Sequence, residues 1–121
     1  MEHLNIGRIG EEIAANFLET IHCTILETNW RYKKAEIDII AMSEDNTLLF
    51  VEVKTRSNSY FGPGSDSIDL HKRNLIIDAA MVYWTLIQHK GEIRFDVVDI
   101  FLRSPEEFRM EYTPNAFFDE F

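Results

Sequence analysis

The sequence predicts an α/β protein with a central mixed sheet flanked by helices. Two segments, one near the N-terminus and one beyond residue 67, carry apolar residues at helical spacings of three and four. Between them lie two segments in which apolar and polar residues alternate across a short polar turn. With a β-branched strand before these two and another strand after the second helix, the predicted order is helix, three strands, helix, strand.

The first helix is predicted from Asn5 to Ile21, because asparagine is a favoured N-cap and an apolar stripe follows it. The stripe consists of Ile6, Ile9, Ile13, Phe17 and Ile21. The β-branched character of Ile25–Asn29 then predicts a first, short strand.

A hairpin is predicted from two alternating segments, Glu36–Met42 and Leu48–Lys54. The residues between them, Ser43–Thr47, have the composition of a turn. If those five residues form the loop, Met42 pairs with Leu48, and the register of the whole hairpin follows from that pair.

The second half of the chain continues with a flexible loop over Ser57–Ser67, which is rich in serine and glycine. A second helix is predicted from about Ser67 to Lys90, with Gly91 as its C-terminal stop. Two further strands are predicted at Arg94–Leu102 and Arg109–Thr113.

The chain has 121 residues, which suffices for one domain and not for two. We predict a single domain over 1–121, with a core over about 5–102 and an acidic, phenylalanine-rich tail over 104–121. Cys23 cannot form an internal disulfide because it is the only cysteine, which favours a reducing compartment. The first residues lack the features of a signal peptide, and no uncharged stretch approaches the ~20 residues of a membrane span. We therefore expect a cytoplasmic protein with no membrane partner.

The charge balance is acidic, with 21 acidic and 12 basic residues and a net charge of −9. Such a balance disfavours binding to nucleic acid through the overall field of the protein. The excess is uneven, however, because residues 104–121 hold five acidic residues and one arginine, whereas residues 29–73 hold seven of each sign. The net charge therefore lowers the expectation of a nucleic-acid partner without excluding it.

The predicted hairpin places two carboxylates opposite each other. Alternation puts Glu36, Asp38 and Ile40 on one face of the first strand, and Ile37, Ile39 and Ala41 on the other. In the predicted register, Ile40 faces Phe50, Asp38 faces Glu52, and Glu36 faces Lys54.

Two carboxylates that face each other repel, so this pair is a poor choice for stability alone. A divalent cation removes the objection, since Mg²⁺ prefers a few carboxylate oxygens, several waters and a substrate phosphate. Asp38 and Glu52 supply the carboxylates, and the carbonyl of Val53 offers a further oxygen. Lys54 lies on the same face, where it can orient an attacking water or offset charge on a reacting phosphate.

Other interpretations of these residues stay open. Glu36 opposite Lys54 also suits a surface ion pair worth ~0.2–1 kcal/mol. The apolar neighbours Ile40 and Phe50 argue against that interpretation, because they place the carboxylates inside the sheet, where charged groups need a partner. Glu11 in the first helix is either directed towards the carboxylates or simply an acid favoured near a helix N-terminus.

Several segments together resemble the YraN family, small bacterial proteins of uncharacterised function within the restriction-endonuclease-like superfamily. The resemblance covers about Gly7 to Ile100, and the part beyond Ser104 is covered least. The segments are Gly7–Ala14, Asn29–Arg31, Glu36–Ile40, Phe50–Arg56, Phe61–Gly62 and Arg94–Val98.

The resemblance implies a restriction-endonuclease-like αβββαβ core that hydrolyses phosphodiester bonds of DNA, including branched or processed DNA, with Mg²⁺ or, in its place, Mn²⁺. Its metal positions fall on Asp38 and Glu52, with Lys54 as the catalytic lysine. Glu11 is similar to the first-helix acid of Holliday-junction resolvases in that superfamily, which adds it to the implied catalytic and metal-binding residues. Ala35 departs from the family, which usually has glycine there, but this change removes no chemical group.

DNA contact is expected from basic residues and from two aromatic residues of the loop, Tyr60 and Phe61. The basic residues are Arg8, Arg31, Lys33, Lys34, Arg56, Lys72 and Arg73. The C-terminal Phe117, Phe118 and Phe121 either dock on the domain or bind a protein partner or a second copy in a homodimer. The alternative function is a binding module for nucleic acid or protein that keeps the fold without catalysis.

Overall fold

The computed structural model describes residues 5–57 and 69–117. Its elements in chain order are α1 (Ile6–Thr20), β1 (Thr24–Tyr32), β2 (Ala35–Met42), β3 (Leu48–Arg56), α2 (Leu70–Ile87), β4 (Ile93–Ser104) and β5 (Glu107–Thr113). The strands form one sheet in the order β1-β2-β3-β4-β5, in which β3 and β4 are parallel and the other neighbours antiparallel. The predicted class, a mixed sheet flanked by helices with the order αβββαβ, is confirmed, and β5 extends it.

The helix ends show which local signals are decisive. Asn5 caps α1 as predicted, because its side chain accepts a hydrogen bond from the backbone N–H of Arg8 at 3.0 Å. The predicted end of α2 at Gly91 is wrong, since the helix ends at Ile87 and Gln88 takes the left-handed conformation with φ 55°. The first strand is longer than predicted, and the predicted loop over Ser57–Ser67 lies, apart from Ser57, outside the described residues.

The helices cover opposite faces of the sheet, so the protein has two apolar cores. The core on the α1 side contains Ala14, Leu18, Ile39, Val51 and Ile100. The core on the α2 side contains Ile37, Phe50, Ile76, Tyr83 and Phe95. Because both faces are covered, every residue of the central strands β2 and β3 is buried or half-buried.

The segment beyond Ser104 is part of the fold and not a loose tail over the described residues. β5 pairs with β4 from Val97–Thr113 to Ser104–Glu107. After β5, Phe117 is buried with its ring 5.1 Å from that of Phe95, so this phenylalanine docks on the domain. Phe118 and Phe121 lie outside the described residues. Neither helix in the described ranges is long and apolar enough to span a membrane.

α1 approaches β3 closely at Gly10. A Cβ atom at this position would lie 1.9 Å from Oγ1 and 2.9 Å from Cβ of Thr55. Rotating the threonine side chain cannot remove the second contact, because Cβ does not move with it. Glycine at position 10 therefore sets the distance between the helix and the sheet, and with it the position of the adjacent Glu11.

We expect Gly10→Ala to destabilise the protein by about 1–3 kcal/mol, although alanine is the better helix former. The reason is that α1 must move away from Thr55 to admit the methyl group. Urea denaturation followed by circular dichroism measures the change in the free energy of unfolding.

Gly7→Ala is the matched control, since a Cβ there meets only Oδ1 of Asn5 at 3.6 Å. This variant should be at least as stable as the wild type. Equal stability of both variants would show that the close approach of α1 to β3 does not constrain the fold.

Candidate active site

The pairing of β2 with β3 stops at the predicted carboxylates. The ladder runs from Met42–Leu48 to Ile39–Val51, in the register predicted from the sequence. Beyond it, the carboxylate of Asp38 accepts a hydrogen bond from the backbone N–H of Val53 at 2.8 Å. The backbone N–H of Asp38 in turn donates a hydrogen bond to the carboxylate of Glu52. The structure thus brings Asp38 and Glu52 together, with side chain and backbone linked in both directions.

The two faces of strands β1 and β2 are exchanged at Asp38, so that the residues directly before and after this position lie on opposite sides of the sheet. The alternation pattern did not predict this exchange. Ile37 belongs to the core on the α2 side, whereas Ile39 belongs to the core on the α1 side. In a regular strand these two residues would share a face. In β1, Asn29 lies between the partners of Ile37 and Ile39 and has a left-handed backbone with φ 51°. The left-handed residue turns the strand pair at this point.

The prediction that Glu36 shares a face with Asp38 and Ile40, opposite Lys54, is therefore wrong. The exchange of faces places Glu36 on the α1 side, where its carboxylate forms an ion pair with the guanidinium of Arg31 at 3.0 Å. The side-chain amide of Asn29 donates to Glu36 at 2.9 Å and to Glu11 at 3.0 Å. Asn29 thus holds the acid of α1 next to an acid of the sheet.

Burial and mutual repulsion make both central carboxylates hard to ionise. The pKa of Asp38 is raised to about 6, chiefly by burial and to a smaller extent by the charges of Glu11 and Glu36. Burial and the charge of Asp38 raise the pKa of Glu52 well above its usual range. The hydrogen bond from Val53 and the charge of Lys72 act in the opposite direction on Asp38.

The carboxylate of Glu52 is incompletely satisfied. Glu52 is only 4% exposed. Among the described residues, its Oε2 has no hydrogen-bond partner. A buried anionic oxygen in this state is costly unless a cation approaches it.

These donors fit a hard divalent cation such as Mg²⁺. Within residues 5–57 and 69–117, no three His, Cys, Asp or Glu side chains converge on one point. The ligands available are thus two carboxylates and a backbone carbonyl, to which waters and a substrate phosphate would be added. That mixture is typical of Mg²⁺, which rarely has a ligand set made only of protein groups.

Lys54 lies two residues beyond Glu52 in β3, and alternation along the strand puts both on the α2 side. Lys54 is half-buried. Val53 between them points its side chain into the opposite core and uses its N–H for Asp38. Glu52, Val53 and Lys54 therefore supply a carboxyl group, a backbone N–H group and a basic side chain from one rigid strand.

The basic residues predicted to contact DNA are in different environments. Arg8 pairs with Glu12 at 2.7 Å, Arg31 with Glu36, and Arg56 with Asp99 at 3.9 Å. Arg73 is half-buried with its guanidinium 4.7 Å from the centre of the Phe117 ring. Lys33, Lys34 and Lys72 are exposed. Tyr60 and Phe61 lie outside the described residues.

Two residues of the site were not predicted as such from the sequence. Asn29 lies in a segment that resembles the family, and the only other sign of its role is that asparagine tolerates a left-handed backbone. Lys72 was predicted to contact DNA, and its charge also acts on both central carboxylates. Its proximity to the carboxylates becomes apparent only when α2 packs on the sheet.

The chain matches one protein family over most of its length. Residues 10–100 match the uncharacterised protein family UPF0102. The UPF0102 protein FP2501 of Flavobacterium psychrophilum is 41% identical over 117 residues, which is 97% of each chain. A UPF0102 protein of Clostridioides difficile is 42% identical over 120 residues, covering 97% of this chain and 100% of the relative.

Among solved structures, one described as Pyrococcus furiosus SfsA in complex with Ca²⁺ is similar, with 11% identity and a TM-score of 0.36. The match covers 89% of this chain and 62% of that chain. A likeness this low carries no conclusion about the chemistry of the site.

We expect Asp38→Asn to stabilise the metal-free protein at pH 8 and to do so less as the pH falls towards 5. Above its folded pKa of about 6, native Asp38 is a repelled, buried anion, whereas the unfolded carboxyl ionises freely near 3.8. The native state is thus penalised as the pH rises through this window, by ~1.4 kcal/mol per unit of pKa difference. Urea denaturation in EDTA from pH 5 to 8 measures the effect.

Glu44→Gln removes one carboxylate from an exposed turn and serves as the control. Its stability relative to the wild type should change little over the same range. If Asp38→Asn were destabilising at pH 8, the repulsion inferred for the central pair would be wrong.

Proposed function

The chain belongs to the uncharacterised protein family UPF0102, the family identified from the sequence as YraN, and we propose that it is a metal-dependent endonuclease that hydrolyses phosphodiester bonds of DNA. The observation that carries the proposal is the pair of the half-buried Asp38 and the buried Glu52, because Oε2 of Glu52 has no hydrogen-bond partner among the described residues. Such a pair is unfavourable by itself and is well suited to a divalent cation.

A second buried acid shows how this fold treats a carboxylate with a structural role. Asp96 is 0% exposed, and Arg94 donates to both of its oxygens at 2.9 and 3.0 Å. The hydroxyl of Tyr112 donates at 2.5 Å and the backbone N–H of Asn115 at 2.8 Å. The oxygens of Asp96 are thus saturated by hydrogen-bond donors, including the cation of Arg94. Glu52 lacks such compensation, which supports a role in binding a ligand rather than in stabilising the fold.

Each residue of the site has a distinct part in the proposed reaction. Asp38 and Glu52 would hold Mg²⁺ or Mn²⁺, with the carbonyl of Val53 as a further ligand. The bound ion would lower the pKa of a coordinated water and offset charge on the phosphate. The ammonium of Lys54 would orient the attacking water and stabilise the charge that develops on the phosphate oxygens.

Glu11, Asn29 and Lys72 would act around this centre. Asn29 holds Glu11 beside Glu36, close enough that both acids raise the pKa of Asp38. They therefore increase the affinity of the site for a cation. Lys72, at the start of α2, is exposed and acts on both central carboxylates, so it is placed to bind the phosphate backbone of a substrate.

The alternative is a module that binds nucleic acid or a protein without catalysis. The net charge of −9 favours its protein-binding form, because the protein as a whole repels DNA. Both functions use the same fold, and they differ in whether the carboxylates and Lys54 are required. A homodimer is compatible with either.

We expect Mg²⁺ and Mn²⁺ to raise the free energy of unfolding of the wild type by ~1.4 kcal/mol at about ten times the Kd. The gain should disappear in Asp38→Asn and in Glu52→Gln, because each lacks one anionic ligand. Thermal denaturation at increasing metal concentration measures it.

Glu44→Gln should keep the full response to the metal, since it removes an equal charge elsewhere. An equal response of all variants would mean that the cation binds another part of the surface, and the proposed metal site would be wrong.

We expect cleavage of DNA in Mg²⁺ or Mn²⁺ that falls by roughly 10²-fold or more in Lys54→Ala and in Asp38→Ala. Linear duplex, single strand, flap and four-way junction DNA form the test panel, and product formation on denaturing gels gives the rates. Lys90→Ala, an exposed lysine beyond the end of α2, should cleave like the wild type.

Folded wild type that cuts none of the four substrates would overturn catalysis and favour the binding module. Cleavage that persists in both site variants would indicate a contaminating nuclease. Measuring how each variant binds the same four DNA substrates distinguishes a loss of catalysis from a loss of substrate binding.

A further inference from the structure

A cavity of about 260 Å³ lies between the β1–β2 turn and α2, on the α2 side of the sheet. One side of it is lined by Tyr32 at the end of β1 and by Lys33 and Lys34 of the turn. The proposed reaction does not use this cavity. Its volume is slightly below the ~300–1,000 Å³ of pockets for drug-sized ligands, so it suits a smaller group.

The walls of the cavity are suited to a flat, partly polar ring. Tyr32 supplies an aromatic wall, and its ring is stacked with that of Trp30 at 6.5 Å and 8°. On the α2 side the wall is apolar, apart from the carboxylate of Asp78. Aromatic faces stack nucleobases, and a carboxylate can accept hydrogen bonds from their amino groups.

The turn concentrates positive charge at this cavity, in a protein with a net charge of −9. The ammonium of Lys33 lies 5.4 Å from the centre of the Tyr32 ring. Lys33 also has a left-handed backbone with φ 55°, where glycine or asparagine is the stable choice in a two-residue hairpin. A lysine at this position lowers stability and offers a cation beside an aromatic wall, which suggests a ligand with phosphate.

We propose that the cavity binds one unpaired nucleobase of the substrate, with Tyr32 stacked on the base and the lysines against its phosphate. The proposal rests on the proposed function and specifies its substrate class. A base within a duplex is stacked and paired, so it cannot enter. The preferred substrate is therefore DNA with an unpaired nucleotide beside the cleaved bond.

The cavity and the carboxylates are close enough to act on one strand. Ala35, which lines the cavity, precedes Asp38 by three residues in β2, or ~10 Å of strand. On α2, Asp78 follows Lys72 by six residues, or ~9 Å of helix. A base in the cavity would thus belong to a nucleotide very near the scissile phosphate.

The first test uses the methionine methyl groups of the whole chain, observed by NMR in EDTA during titration with dAMP. Met81 lines the cavity, whereas Met110 lies in β5 and packs on the α1 side. We expect the Met81 methyl signal to shift with saturation and the Met110 signal to stay. Ribose 5-phosphate and inorganic phosphate are the matched ligands without a base, and they should leave Met81 unshifted.

The second test compares two bulky substitutions on α2 in the Asp38→Asn background, which prevents cleavage. Val82→Trp fills the cavity, and Thr85→Trp adds the same bulk at an exposed position that does not line it. We expect Val82→Trp to weaken binding of a single-stranded oligonucleotide about 10-fold and to leave blunt duplex binding unchanged. Thr85→Trp should bind both like its parent.

The outcomes separate this inference from the proposed function. An unmoved Met81 signal, an equal shift with phosphate alone, or unchanged single-strand binding in Val82→Trp would overturn the base pocket. Metal-dependent cleavage by the wild type would still stand in that case. Conversely, a base-specific Met81 shift in a protein that cleaves no DNA would support the pocket and overturn the endonuclease.

Discussion

The hydrogen bond from the Val53 N–H to the Asp38 carboxylate is the interaction on which the site depends. It begins where the β2–β3 ladder ends, so a side chain takes over a bond that a backbone carbonyl would otherwise make. This hydrogen bond holds Asp38 rigidly beside Glu52, and it leaves the second carboxylate oxygen of Asp38 for another partner. Since β3 also runs parallel to β4 through Arg56, Glu52 and Lys54 are fixed within the centre of the sheet. The chemistry of the site thus depends on two strands that part at a defined residue.

The two covering helices give this arrangement its electrostatic character. Because α1 and α2 bury opposite faces, Glu52 is buried and Asp38 largely so, and desolvation is the main cause of both raised pKa values. Glu11 and Glu36 add repulsion, and Lys72 opposes it. Under the proposed function, a bound cation would relieve this repulsion, so metal binding would stabilise the protein. The fully satisfied Asp96 shows that burial of an acid need not have this effect.

The C-terminal part of the described chain stabilises the same sheet at strands β4 and β5. Asp96 links β4 to Tyr112 of β5 and to the turn at Asn115. Phe117 then stacks on Phe95, which stacks on Phe50 at 5.4 Å in the next strand. Arg73 of α2 lies over Phe117, so this aromatic series joins the start of α2 to the central strands. The segment is acidic in composition, but its structural role depends on only three of its residues, Tyr112, Asn115 and Phe117.

The sequence by itself determined the class of the fold, the hairpin register and the acids nearest the centre. These follow from short-range rules: period-two alternation, a five-residue turn that pairs Met42 with Leu48, and an asparagine cap at Asn5. Tertiary structure decided the side of the sheet on which Glu36 lies, because one left-handed residue, Asn29, reverses the faces of two strands. It also decided the docking of Phe117 and the cavity beside Tyr32. These two features depend on contacts between segments far apart in the chain, which no local pattern of residues records.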